Sequence, residues 1–153
     1  MLSFIFVLMV MSTLMVRCSA GTLPFVAGHS NLTTSSSTCG GNCPGGCDSC
    51  KCGSSSNYQD IASMCAQYSG WSQSQCQCIM KYESGGNANA ENENTDGSYD
   101  VGLWQINTMN WASCSSGAAP CSTSDNLACA KKVWAWGGNS FKLWSTCSKC
   151  NAC

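Results

Sequence analysis

Arginine and histidine are almost missing from this chain: its 153 residues hold one of each, Arg17 and His29, both near the N-terminus. The scarcity of arginine, with six lysines set against eight carboxylates, argues against nucleic acid as a partner, since no basic face can be assembled. A single histidine in a Ser/Thr-rich arm makes a Ser-His or Cys-His catalytic pair hard to build. Long apolar runs are also lacking. Only Met1 to Val16 (MLSFIFVLMVMSTLMV) is continuously apolar, and it is short for a membrane span. No second stretch could cross a bilayer, so stable membrane insertion is not expected.

What the chain has in excess is cysteine, fifteen in all. The apolar start followed by Cys18-Ser19-Ala20 reads as a signal peptide over residues 1–20, favoured over a retained anchor. Cleavage after Ala20 removes Cys18 and leaves an even fourteen, which suits seven disulfides in an oxidising compartment. The expected destination is secretion or a lysosome- or phagosome-like vesicle. Residues 21–38 form a Ser/Thr-rich arm expected to be flexible, with a glycosylation sequon at Asn31. Residues 39–57 open with CGGNCPGGCDSCKCG, which has no hydrophobic period and must be a loop-rich piece tied by cross-links. A zinc held by Cys43, Cys47, Cys50 and Cys52 is the alternative, and secretion favours disulfides over it.

From residue 58 to 153 the pattern is that of an ordinary domain. Tyr58, Ile61, Ala62, Cys65 and Tyr68 share a helical face that ends at Gly70. Ser72 with Gln75 reads as a capping box, Trp71 as its staple, and Cys78, Ile79 and Tyr82 as one stripe stopped by Gly85-Gly86. Asn94-Thr95-Asp96-Gly97 is a hairpin-turn signal between two short strands, the second placing Asp100 on the opposite face from Tyr99, Val101 and Leu103. A third helix is expected from about Asn126 to Trp136 behind a Ser122/Asp125 capping box, and a last short one over Phe141 to Thr146. The result is an α+β domain, mainly helical around a small antiparallel hairpin and rich in disulfides.

Chemistry is then left to carboxylates, and five of the eight lie between Glu83 and Asp100. Glu83 falls in the last turn of a helix with a buried face, where the macrodipole disfavours an anion. Beside Trp or Tyr rings its pKa should be raised, as a proton donor near neutral pH requires. Asp100 has Asn94, Gln105 and Asn107 near it in sequence as amide donors to a carboxylate. Asp96 serves the turn, and Glu91 and Glu93 read as solvated strand positions.

The string Tyr82-Glu83-Ser84-Gly85, with Asn94-Thr95-Asp96-Gly97-Ser98-Tyr99-Asp100-Val101-Gly102-Leu103-Trp104-Gln105-Ile106-Asn107, resembles the animal c-type lysozymes. The likeness extends from about Trp71 to Cys147. It includes Trp111, Cys129-Ala130-Lys131-Lys132-Val133 and Trp144. Lysozymes are also the standard illustration of two carboxylates driven to different roles by their surroundings. The resemblance implies a lysozyme-like fold with Glu83 as general acid/base and Asp100 as nucleophile or oxocarbenium stabiliser, oriented by Asn94 and Asn107. It implies Asn94, Gln105, Asn107, Trp111, Ser140 and Phe141 as saccharide contacts, the Asn107 amide as reader of an N-acetyl group, and the disulfides Cys78–Cys147 and Cys114–Cys121. The other ten cysteines stay unassigned.

Departures from the family pattern also carry information. Phe141 stands where the family often stacks a Trp against the acid, and Asn110 replaces one of two cleft tryptophans, so sugar stacking should be weaker. The stretch from Cys121 to Cys129 is short, with Asp125 its only acid, which excludes the calcium site of some relatives. No metal or cofactor is expected, and the domain reads as a monomer. Hydrolysis of bacterial peptidoglycan is the implied activity. The same string is similar to bacterial lytic transglycosylases and goose-type lysozymes, which often use the Glu alone. A non-catalytic saccharide-binding protein on this fold, as in the lactalbumins, would be marked by loss of the acid, and Glu83 is present.

Overall fold

Two hydroxyl caps and one carboxylate cap start the helical framework. Asp60 accepts the Ser63 amide at 2.8 Å and opens α1 (Ile61–Ala66). Ser72 accepts the Gln75 amide and opens α2 (Gln73–Glu83), and Ser122 accepts the Asp125 amide at 3.1 Å to open α4 (Thr123–Trp136). In this computed structural model the described residues are 38–153. The leader, Arg17, His29 and the Asn31 sequon lie outside them, as does the arm up to residue 37.

Between α2 and α4 lies a three-stranded antiparallel sheet in the order β1 (Glu91–Glu93), β2 (Tyr99–Val101), β3 (Ile106–Asn107), followed at once by α3 (Thr108–Cys114). Glu91 pairs with Val101 and Glu93 with Tyr99, while Asp100 faces Asn107 across the β2–β3 ladder. The hairpin closes as expected: Gly97 donates to the Asn94 carbonyl and Ser98 to the Asp96 carboxylate, both at 2.9 Å. The third strand and α3 extend the expected two-stranded hairpin. Their start signal is Asn107, whose side chain accepts the Met109 amide at 3.0 Å.

The core gathers Trp71, Trp104, Trp134, Phe141 and Trp144 with Ile79, Met80, Leu103 and Ile106. Each large apolar side chain moved from water into it contributes roughly 1.5–3 kcal/mol. Trp71 is the hub, within 5.5–6.5 Å of the rings of Trp104, Phe141 and Trp134. Two helical expectations need correction. The first helix starts at Ile61 rather than Tyr58, because Tyr58 is extended and bridges Asn87, with the Gln59 amide donating to the Gly86 carbonyl at 2.8 Å. Phe141 to Thr146 is a run of turns, and the short helix follows it as a 3-10 turn at Cys147–Cys150.

All fourteen cysteines of residues 39–153 are paired in seven disulfides, so Cys43, Cys47, Cys50 and Cys52 hold disulfide partners and offer no thiolates to zinc. Neither expected pairing is formed. Cys78 joins Cys150, not Cys147, because the 3-10 turn presents Cys150 to α2; Cys147 takes Cys153 instead. Cys114 joins Cys129, not Cys121, because α3 packs on α4 and sets their Cα atoms 5.0 Å apart. That leaves Cys121 to reach back to Cys52.

The Cys/Gly segment packs against β1 by means the pattern of charges did not reveal. Glu91 is 1% exposed, not solvated, and its carboxylate accepts the amides of Lys51 and Cys52. Glu93 accepts the Asp48 amide at 2.6 Å and the Tyr99 hydroxyl at 2.7 Å. Gly45 is required for this approach, since a Cβ there would sit 1.9 Å from the Glu93 carbonyl oxygen.

The turn from Val101 to Gln105 is held from three sides. Ser84, just past α2, donates to the Leu103 carbonyl at 2.8 Å. Asn126 in α4 donates to the Val101 carbonyl and accepts the Trp104 amide, and the Trp144 indole donates to the Trp104 carbonyl at 2.8 Å. Gly102 has φ +78, and a Cβ on it would lie 2.1 Å from the Asn126 amide nitrogen. Gly102→Ala is therefore expected to cost about 2 kcal/mol or more through left-handed strain plus overpacking, read as a lowered urea midpoint.

Candidate active site

Glu83 is the last residue of α2, half-buried, and Asp100 is the middle residue of β2. Both line one open groove. Its two lobes, about 400 and 440 Å³, share Glu83, Asn94, Asp100, Gln105 and Ser145, so the carboxylate pair lies where the lobes meet. These volumes are in the range of small-molecule sites. One lobe runs toward α3 and α4 past Met109, Asn110, Val133 and Leu143. The other runs toward Asn87, Asn92 and the N-terminal segment.

The two carboxylates have different surroundings. Asp100 accepts one amide hydrogen bond on each oxygen, from Asn94 Nδ2 and Asn107 Nδ2, both at 2.8 Å. The amide orientations follow from the opposite ends. Asn107 Oδ1 caps α3 and Asn94 Oδ1 accepts from Asn92 Nδ2 at 3.1 Å, so in each case the NH₂ group is the one free to face Asp100. Glu83 receives a hydrogen bond from the Thr146 hydroxyl. Burial pushes its pKa above the ordinary glutamate value. The Thr146 hydrogen bond opposes this, the nearby Asp100 charge adds to it, and Lys149 opposes it weakly. A carboxyl whose pKa is raised, sharing a groove with a carboxylate fixed by amide donors, can pair proton donation with stabilisation of a developing cation.

The remaining candidates divide. Asn94, Gln105 and Asn107 line the groove. Gln105 does not donate to Asp100, because its side-chain amide is taken by the carbonyls of Ala90 and Gly102. Trp111 is 7% exposed and its indole N–H goes to the Ile106 carbonyl at 2.9 Å, so it supports the floor and does not line the groove. Ser140 donates to the Gly137 carbonyl, and Phe141 is 1% exposed between Trp71 and Trp144. Of the aromatic rings, Trp144 lines the lobe toward α3 and α4 and Tyr58 lines the other. Thr146, Ser84 and Met109 were not singled out from sequence. Met109 and Leu143 are exposed apolar groups in the lobe that Asn110 also lines. A metal is not suited to the one buried cluster of ligand type among the described residues. The Cys39 and Cys47 sulfurs near Glu91 are both in disulfides, and the carboxylate is committed to backbone amides.

Removing the Thr146 hydrogen bond should raise the Glu83 pKa further. Thr146→Val is expected to move the Glu83 carboxyl titration upward in a carbon-detected NMR pH series, and an unchanged midpoint would refute the coupling. Linkage gives a second expectation. A carboxyl whose folded pKa is raised contributes its full stability below its unfolded value, about 4.5 for Glu, and loses it as pH rises through the folded value. Glu83→Gln cannot ionise, so at neutral pH its Tm should exceed that of the parent protein, with the two converging in acid.

A family model described as a lysozyme like domain matches residues 63–146, more than half of the chain. The chain is 38% identical over 65 residues to the lysozyme C of Scophthalmus maximus, covering 42% of this chain and 44% of that protein. It is 41% identical over 63 residues to the lysozyme C of Takifugu rubripes, covering 41% and 43%. The chain therefore matches less than half the length of these curated relatives. The family match contains Glu83, Asp100 and both asparagines that hold Asp100, and it excludes the Cys/Gly segment. A helix ending in a carboxyl above a small antiparallel sheet, cross-linked by disulfides, and a family match over residues 63–146 together show that the chain belongs to the lysozyme-like family.

Proposed function

We propose that the protein is a muramidase that hydrolyses the β-1,4 bond between N-acetylmuramic acid and N-acetylglucosamine in bacterial peptidoglycan, with retention. The observation that carries this reading is Glu83, its pKa raised by burial, in one groove with an Asp100 held by two amides. Glu83 gives its proton to the leaving glycosidic oxygen as the C–O bond breaks. Asp100 stabilises or bonds the anomeric carbon. Glu83, now ionised, then takes a proton from water as that water attacks the same carbon, and Asp100 is released.

Seven disulfides suit an oxidising compartment, outside the cell or in a lysosome- or phagosome-like vesicle. No helix among the described residues is long and apolar enough to cross a membrane. Activity that needs protonated Glu83 should fall on the alkaline side of the pH profile as that group ionises. The second reading, a lytic transglycosylase working through Glu83 alone, uses the same groove. The paired amides on Asp100 favour the hydrolase, because they position a charge that a Glu-only mechanism does not require.

Glu83→Gln should lower clearing of bacterial walls by about 10²-fold to 10⁴-fold while the fold persists. Asp100→Asn should also cost most of the activity, and full activity in that variant would transfer the reaction to Glu83 alone. A mass spectrum of the digested wall separates the readings directly, since reducing muramic ends carry one more water than 1,6-anhydro ends.

A further inference from the structure

The Cys/Gly segment is outside the family match, yet it borders the groove. Asn42 and Pro44 line the lobe that also contains Glu83, Ser84, Asn92 and Asp100, and Tyr58, just past the segment, lines it too. All three are exposed, Tyr58 at 71%. They stand on a rigid base. Cys39–Cys50 and Cys43–Cys47 cross-link the segment internally, and Cys52–Cys121 ties it to the start of α4. Glu91 and Glu93 hold its amides, and Asn87 donates to the Gly40 carbonyl at 2.6 Å while accepting the Asn57 amide. A loop fixed at so many points presents its side chains with little ordering entropy left to lose on binding.

We propose that this segment is a wall of the substrate groove, with Asn42, Pro44 and Tyr58 forming a saccharide subsite on its side of the Glu83–Asp100 pair. An amide, a pyrrolidine ring and a phenol offer hydrogen bonds and flat apolar faces, the groups that a pyranose ring uses. The charges of this lobe select among sugars. Its ionisable lining groups apart from Tyr58 are Glu83, Glu91 and Asp100, with no lysine among the lining residues. A sugar bearing a carboxylate finds no cationic partner there and meets the Asp100 carboxylate, whereas a neutral N-acetylhexosamine fits. The subsite thus rests on the glycosidase reading and specifies which unit of the glycan strand lies against the segment.

The test uses Glu83→Gln, which keeps the substrate intact, titrated calorimetrically with N-acetylglucosamine oligomers of three to six units. Adding Asn42→Ala, Pro44→Ala and Tyr58→Ala should weaken the hexamer about tenfold, as loss of one or two hydrogen bonds and a ring contact implies, and the trimer much less. Asn42→Ala alone serves as a second variant should the triple change disturb folding, and it should weaken the hexamer in the same direction. In the active enzyme the triple variant should also shift which bond of the hexamer is cut. Equal hexamer affinity and an unchanged cleavage pattern would overturn the subsite and leave the muramidase reading intact. Failure of Glu83→Gln to bind any oligomer, with no wall clearing by the parent protein, would overturn both.

Discussion

The hydrogen bonds that converge on the Val101–Gln105 turn are the constraint on which the rest of the structure depends. One comes from the end of α2, two more involve Asn126 of α4, and one comes from Trp144 after α4. These carbonyls and amides are in the interior, where an unmet partner costs more than a met one gains. The turn therefore fixes where α2 ends relative to β2. Since Glu83 is the last residue of α2 and Asp100 immediately precedes the turn, their relative placement follows from backbone and amide contacts that lie behind the groove. The chemistry at the front is set from the back.

Carboxylates do two unrelated jobs within a few residues of each other. On β1, Glu91 and Glu93 face backbone amides from some forty residues upstream and serve as docking points. The Tyr99 hydroxyl and the Asp48 amide hold the Glu93 pKa below its ordinary value. On β2, Asp100 is also hydrogen-bonded, but its partners are side-chain amides at the edge of an open groove. Ser98 Oγ, within 3.1–3.2 Å of both amide nitrogens, ties the arrangement together. The division between structural and chemical acids depends on what reaches each carboxylate and not on the strand that carries it.

Local features were legible in the sequence because their causes are local. Ser72 and Ser122 start helices by bonding an amide three residues on, Asp96 closes its own turn, and Asn94 and Asn107 reach Asp100 across six and seven residues. What escaped depends on distant partners. No pattern around Glu91 announces that amides at Lys51 and Cys52 will take its charge. Cys121 could be matched to Cys52 only after α3 had claimed Cys129 for Cys114. The inward packing of Trp111 and Phe141 is hidden from the sequence for a related reason: an aromatic residue near a groove can pack into its floor or project into its opening, and only the whole core decides which. Tyr58 fits the helical stripe of α1 equally well, yet its backbone is used by Asn87 and the helix starts only at Ile61.

The long-range bridges have a consequence for what a break in the chain would do. Cys52–Cys121 and Cys78–Cys150 both span the exposed hairpin tip at Thr95–Gly97. A cut at that tip would put Glu83 and Asp100 on separate polypeptides, yet two covalent links would still join them across the groove. Backbone continuity and the integrity of the carboxylate pair are thereby uncoupled, so such a nick would break the chain without releasing either half.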